Sequence, residues 1–308
     1  MALHRLAAVT IGVPNVVETA EYYAEFGLDH TGDGRFCTAD GGEQLRLAEA
    51  PQRALLAMTV GADDTDDIAQ IRSRLRQMGS IRHSAGHDWL TAVEPIAGFT
   101  VRIEVMARIE QPAADITPVN LAGRVGRLNE RSPVIARNNP VRPRKLGHVV
   151  IGSVDYATTR YFFTEGLGFK VTDSLTGRGA FMRCSSDHHN VFVQTAPVNF
   201  LHHTSWQVDD VDEVGRGAMA MLEQDPARHV WGLGRHHVGS NFFWYLKDPA
   251  GNFSEYYSDM DCILDDAFWK PETFDGLRGL YNWGPPPPPS FLEPDDLAAL
   301  MVGAHADV

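Results

Sequence analysis

The chain repeats itself at an offset of 140 residues, and this self-similarity limits the folds open to it more than any other feature. Ile11-Gly-Val-Pro-Asn, then Glu18-Thr-Ala-Glu-Tyr-Tyr and Phe26-Gly-Leu, returns as Ile151-Gly-Ser-Val-Asp, Thr159-Arg-Tyr-Phe-Phe and Leu167-Gly-Phe. Each copy reads as a strand, a polar turn, an amphipathic helix with a buried aromatic pair, a glycine stop and further strands. A second echo lies inside each copy. Ala62-Asp-Asp-Thr-Asp-Asp-Ile leads into IAQIRSRLRQMG as Val208-Asp-Asp-Val-Asp-Glu-Val leads into GRGAMAMLEQ. These acidic clusters fall where a helix begins and its dipole favours negative charge, so capping is preferred over metal binding. The expected architecture is α+β, with four strand–helix–strands units arranged as two tandem domains. The first domain spans 1–111, and a Pro-, Asn- and Arg-rich connection without periodicity spans 112–143. The second domain spans 144–258. A tail over 259–308, with a polyproline-like run from Pro285 to Pro289, is expected to pack on it and partly lid its cavity.

Length and charge narrow the function. With 308 residues there is room for two full cores. A formal charge of -13 with no basic stripe argues against nucleic acid as a partner. No apolar stretch approaches the roughly 18–20 residues of a membrane helix, and MALHRLAAVTIGVPNVVE lacks the layout of a secretory leader. Cys37, Cys184 and Cys262 are isolated, which suits a reducing, cytoplasmic setting. An enzyme is the expected class.

Eight of the thirteen histidines fall between 148 and 237, which makes that half the place to look for chemistry. His148 opens one unit, His203 opens the next, and Glu255 lies on the last strand of that second unit. If these positions converge, they form two imidazoles and one carboxylate, a set that suits Fe(II) and also Mn(II), and zinc less naturally. The 140-residue offset carries His148 onto Ala8, and the positions that answer His203 and Glu255 in the first copy fall near Ala57 and near Arg102 or Glu104. The first copy therefore keeps the framework and lacks the ligands. A hairpin adds more. His236, Tyr245 and Glu255 are nine and ten residues apart around the turn Asp248-Pro-Ala-Gly-Asn.

Four segments, RHHVGSNFFWYLKDPAGNFSEYY, LGHVVI, LHHTSWQVDD and Asp187-HHNVFVQ, resemble the motifs of the type I extradiol ring-cleaving dioxygenases. These belong to the vicinal oxygen chelate, or glyoxalase/bleomycin resistance, superfamily. The resemblance spans residues 1–258, with the motifs inside 145–257, and the tail is similar to that of the catechol 2,3-dioxygenase branch. It implies two vicinal-oxygen-chelate domains, each of two βαβββ units forming an open barrel around a cavity. It further implies Fe(II), with Mn(II) possible, on His148, His203 and Glu255, a catechol and O2 as reactants, and a homo-oligomer. By the same resemblance His189 is the acid–base group, Tyr245 bonds a substrate oxygen, and His236 bonds substrate or supports Tyr245. Adjacent histidines on a strand point to opposite faces; the resemblance selects His189 over His188, His203 over His202 and His236 over His237.

Phe192, Phe243, Trp206 and the tail are the expected cavity wall. Arg235 and Arg278 are candidates for a substrate carboxylate, with ordinary surface roles preferred. His4, His30, His83, His87, His229 and His305 are read as structural or surface residues. The rival readings are a glyoxalase-like isomerase and a ligand-sequestering module of the bleomycin-resistance type.

Overall fold

The structure, a computed structural model, describes residues 3–306. The fold is α+β, and four βαβββ units follow one another. The first is β1 (Leu3–Val13), α1 (Val16–Glu25), β2 (Asp29–Gly32), β3 (Arg35–Thr38) and β4 (Gly42–Glu49). The second is β5 (Ala54–Ala62), α2 (Thr65–Met78), β6 (His83–Ala85), β7 (Trp89–Val93) and β8 (Thr100–Val105). The third is β9 (Lys145–Ser153), α3 (Tyr156–Tyr161), β10 (Lys170–Leu175), β11 (Gly179–Arg183) and β12 (Val191–Thr195). The fourth is β13 (Phe200–Gln207), α4 (Val211–Gln224), β14 (His229–Arg235), β15 (Phe242–Lys247) and β16 (Phe253–Ser258). The acidic clusters act as caps: the Asp64 carboxylate accepts from the N–H groups of Asp66 and Asp67, and Asp210 accepts from that of Glu213.

Each pair of units makes one open sheet, ordered β2-β3-β4-β1-β5-β8-β7-β6 and β14-β15-β16-β13-β9-β12-β11-β10, and the second order is the first read backwards. The shared register fixes the equivalences. Ser205 lies opposite both His148 and Glu255, as Thr59 lies opposite both Ala8 and Arg102. Arg102, not Glu104, therefore stands where the second half has Glu255. The repeat is not perfectly regular. Tyr22 and Tyr23 answer Phe162 and Phe163 at 140, but Gly27 answers Gly168 at 141 (168 − 27). A π-helical turn over Phe162–Leu167 takes up the additional residue.

The two halves share one apolar core. Helix α1 and the Phe26 that caps its end bury Tyr22, Tyr23 and Phe26 against the second sheet: Phe26 stacks on Tyr256 at 3.8 Å, and the Tyr256 hydroxyl donates to the Phe26 carbonyl at 2.6 Å. The Tyr22 hydroxyl and Ser254 Oγ are 2.5 Å apart. Side chains alternate along a strand, so Ser254 and Tyr256 facing α1 leave Glu255 on the opposite face. The same alternation corrects one expectation. Trp206 faces α1, with its ring 6.4 Å from that of Tyr23 and its Nε1–H donating to Thr204 Oγ1, so it is not a cavity wall.

The segment over 112–143 holds little regular structure beyond a 3-10 turn at Pro133–Ala136. The tail lies along the second sheet. It adds β17 (Thr273–Phe274) beside β10, accepts a hydrogen bond from Trp231 Nε1 at the Pro285 carbonyl, and continues through α5 (Pro289–Leu292) and α6 (Leu297–Ala306). No helix among the described residues is long and apolar enough to cross a membrane.

The hairpin turn carries a buried titrating group. Asp248 Oδ1 accepts from the N–H groups of Ala250 and Asn252, and Oδ2 accepts from Asn252 Nδ2. Burial outweighs these bonds and pushes the carboxyl up to about 6. A carboxyl with a raised folded-state pKa holds its proton in the folded chain while the unfolded chain has lost it. Stability therefore falls as pH rises between about 4 and 6, by about 3 kcal/mol in full. Asp248→Asn removes that dependence; the Asn252 amide, whose Oδ1 is buried without a partner, turns over so that this oxygen accepts from the new NH2. Urea denaturation at pH 4.5 and pH 7 is expected to show the variant gaining on the parent at the higher pH. A difference that does not change with pH would contradict the assignment.

Candidate metal centre

Three neighbouring strands deliver the candidate ligands: β16 carries Glu255, β13 carries His203 and β9 carries His148. Between them sits Ser205, fully buried and small enough to leave space over which the longer side chains converge. The Nε2 atoms of His148 and His203 are 3.3 Å apart. Glu255 Oε2 lies 3.1 Å from His148 Nε2 and 3.7 Å from His203 Nε2, and one ligand atom from each residue falls within 4.8 Å of the others. Glu255 is 0% exposed, yet its Oε2 has no hydrogen-bond partner. A buried, unsatisfied carboxylate oxygen is costly, and a divalent cation shared with two imidazole nitrogens removes that cost. The residues present thus fit Fe(II) or Mn(II). The other oxygen, Oε1, accepts from Asn241 Nδ2 at 3.2 Å, which orients the carboxylate. Burial alone would raise the Glu255 carboxyl, but the imidazoles of His148 and His236 hold it below the usual carboxylate range.

His189, His236 and Tyr245 surround this cluster. The His189 ring lies 4.2 Å from that of His148, between it and Phe181. Burial, reinforced by His148 and the other nearby histidines, lowers its pKa well below the ordinary value, so the ring is neutral. Tyr245 OH and His236 Nε2 are 2.9 Å apart. Burial and then the Glu255 charge raise the phenol well above its usual pKa, so it keeps its proton. His237 is exposed and lies beside Phe274, away from the cluster.

The histidine doublets depart from simple alternation. Both His202 and His203 line the cavity, because the β9–β13 register slips between Leu201 and His203 and leaves His202 in a bulge. His188 and His189 lie in the irregular segment before β12, where strand alternation does not apply. Asn241, His188 and His202 are not among the residues the sequence selects; the histidine doublets themselves are the signal for the last two.

The cavity runs away from the cluster along β9. Val150, Phe181, Phe192, Val238 and Leu280 form its apolar middle, and Phe291 and Leu292 of the tail close one side. Phe243 stacks on the back of His236 at 4.0 Å instead of lining the wall. Arg178 and Gln194 stand at the far end. Gln194 is level with Gly152, four residues along β9 from His148, or about 13 Å at strand spacing. Arg235 is held elsewhere, paired to Asp259 at 2.5 Å and stacked over Phe242. The side chains of Arg278 and His305 lie outside the described residues. His4 bonds the Ala62 and Met106 carbonyls, and His229 accepts from Trp244 Nε1, as structural residues do.

Residues 145–256 match the family Glyoxalase/Bleomycin resistance protein/Dioxygenase superfamily. The chain is 35% identical to Metapyrocatechase 2 of Cupriavidus necator over 179 residues, 57% of this chain and 55% of that protein. It is 26% identical over 194 residues to the manganese-dependent 2,3-dihydroxybiphenyl 1,2-dioxygenase of Geobacillus genomosp. 3, covering 59% of each. The chain thus spans little more than half the length of these relatives. In solved structures, the fold is similar to the Mn(II)-bound glyoxalase from Novosphingobium aromaticivorans, with a TM-score of 0.72 at 22% identity over 93% of both chains. It is also similar to homoprotocatechuate 2,3-dioxygenase from Arthrobacter globiformis, with a TM-score of 0.73 at 17% identity over 94% of this chain and 91% of that one.

Proposed function

With a domain of the glyoxalase/bleomycin resistance/dioxygenase superfamily at residues 145–256, we propose that the chain is an extradiol ring-cleaving dioxygenase acting on a catechol. The observation that carries this reading is the buried His148–His203–Glu255 cluster opening onto a ring-sized apolar slot flanked by His189, His236 and Tyr245. The relatives named for ring-cleaving dioxygenases support it. Both atoms of O2 enter the substrate, the ring carbon–carbon bond beside the vicinal hydroxyls breaks, and an unsaturated semialdehyde-type acid forms.

His148, His203 and Glu255 would hold Fe(II) or Mn(II). When bound, such an ion supplies a common docking point for the two hydroxyls and O2 and eases loss of the hydroxyl protons. The chain does the rest. Phe181 and Phe192, whose rings pack against each other at 4.3 Å, give the slot an aromatic wall on which the substrate ring rests. Tyr245, kept protonated, donates to His236 and offers its oxygen as an acceptor to a substrate hydroxyl. Neutral His189 receives a substrate proton and returns it to the product. Leu280, Phe291 and Leu292 keep water from the site. Arg178 and Gln194 favour a catechol with a polar or acidic group remote from its hydroxyls. Cys37, Cys184 and Cys262 are unpaired, which supports a cytoplasmic setting.

The test is anaerobic loading with Fe(II) or Mn(II), then addition of air and either catechol or a carboxyl-bearing catechol. A yellow ring-fission product with one O2 consumed per substrate is expected. No O2 uptake with either metal and any catechol would sink the reading.

A further inference from the structure

We propose that the C-terminal tail fixes which nitrogen of His189, His203 and His236 carries the proton, making Asp173, His188 and His202 positioning residues. The inference rests on the site reading above. A neutral imidazole has one N–H and one lone pair, so a bond made by one nitrogen decides the state of the other. A main-chain carbonyl only accepts and a main-chain N–H only donates. Three such groups of the tail reach the site.

The Phe291 carbonyl accepts from His202 Nε2–H at 2.7 Å. His202 Nδ1 is then a lone pair, and His203 Nδ1, 2.7 Å away, donates to it. His203 Nε2 is left as the lone pair facing His148 and Glu255, the form a metal ligand must have. The second group is the Glu272 N–H, which donates to Asp173 Oδ1 at 2.7 Å. Asp173 Oδ2 accepts from His188 Nε2–H at 2.8 Å, and His188 Nδ1 accepts from His189 Nδ1–H at 3.0 Å. His189 Nε2 therefore presents a lone pair to the cavity. Trp269 of the tail meets the His188 ring edge-to-face at 5.3 Å, and its Nε1–H donates to the Thr172 carbonyl, which holds this arrangement closed. Third, the Leu280 carbonyl accepts from His236 Nδ1–H, so His236 Nε2 accepts the Tyr245 O–H. Each doublet works as a unit, an outer ring anchored by the tail and an inner ring aimed at the chemistry. Partners in this outer position orient metal-ligating histidines in general.

Substitutions at two positions of the chain test the inference. Asp173→Asn keeps the shape, but its oxygen is claimed by the Glu272 N–H, so its NH2 turns to His188 Nε2 and reverses both rings. Nitrogen-15 NMR of the histidine-labelled, Zn(II)-loaded chain is expected to show the His189 proton moving from Nδ1 to Nε2. With the catalytic metal, kcat is expected to fall about 10–100-fold while KM and metal content hold. His202→Phe removes both bonds of its ring and is expected to raise the metal Kd about 10–100-fold. His202→Gln, which sets an acceptor beside a donor as the ring does, is expected to restore it. An unchanged His189 proton position in Asp173→Asn, or equal metal affinity in the two His202 variants, overturns the proposal. If the parent cleaves no catechol while the NMR and affinity results appear as stated, the reaction assignment fails and the tautomer control stands.

Discussion

Glu255→Gln is expected to leave a folded chain that no longer retains a divalent metal and no longer cleaves a catechol. Glutamine matches the shape, and its oxygen still accepts from Asn241 Nδ2, which now reaches Glu255 Oε1. What disappears is the negative charge, in a site 0% exposed where little solvent screens its attraction for a cation. The loss in metal affinity should exceed the about 10–100-fold that removal of an outer partner costs. The fold does not depend on the carboxylate, since the first half has Arg102 at the equivalent register and keeps the same sheet. Elemental analysis after desalting, beside circular dichroism, separates the outcomes. A folded variant with one metal per chain would remove Glu255 from the ligand set.

His189→Phe is expected to act one step later. The phenyl ring fills the same slot between His148 and Phe181, so ligand geometry and ring binding are preserved. The group that takes and returns the proton is gone. Loss of a positioned acid–base group costs about 10²–10⁴-fold in rate. Metal content and catechol affinity should stay near the parent values while kcat falls by that factor, with anaerobic substrate titration reporting binding and O2 uptake reporting turnover. Ring cleavage at the parent rate would sink the role given to His189.

Much of this was legible in the chain itself. The four units, the capping roles of Asp64 and Asp210, and the hairpin around Asp248 follow from local periodicity and turn chemistry, and all three are present. His148, His203 and Glu255 stood out because a repeat fold brings equivalent positions together, and their ligand atoms do meet. Trp206 was misplaced although alternation counted from His203 puts it on the far face. Alternation also failed for His202, because a bulge breaks the two-residue period and no residue type announces it. Arg178 reaches the cavity through strand pairing across β11 and β12, a long-range register that local pattern does not encode. The carbonyls of Leu280 and Phe291 could not have been found at all, since every residue has one.

That last point bears on how such a protein changes over generations. The tail meets the histidines through its chain path, so replacing Leu280, Phe291 or Glu272 by another residue leaves the carbonyl or N–H in place. Selection then acts on the length and course of the segment and is nearly blind to its letters. Two such tails can diverge beyond recognition and still do the same work, whereas a single deleted residue would draw these main-chain groups away from the histidines while every ligand remained.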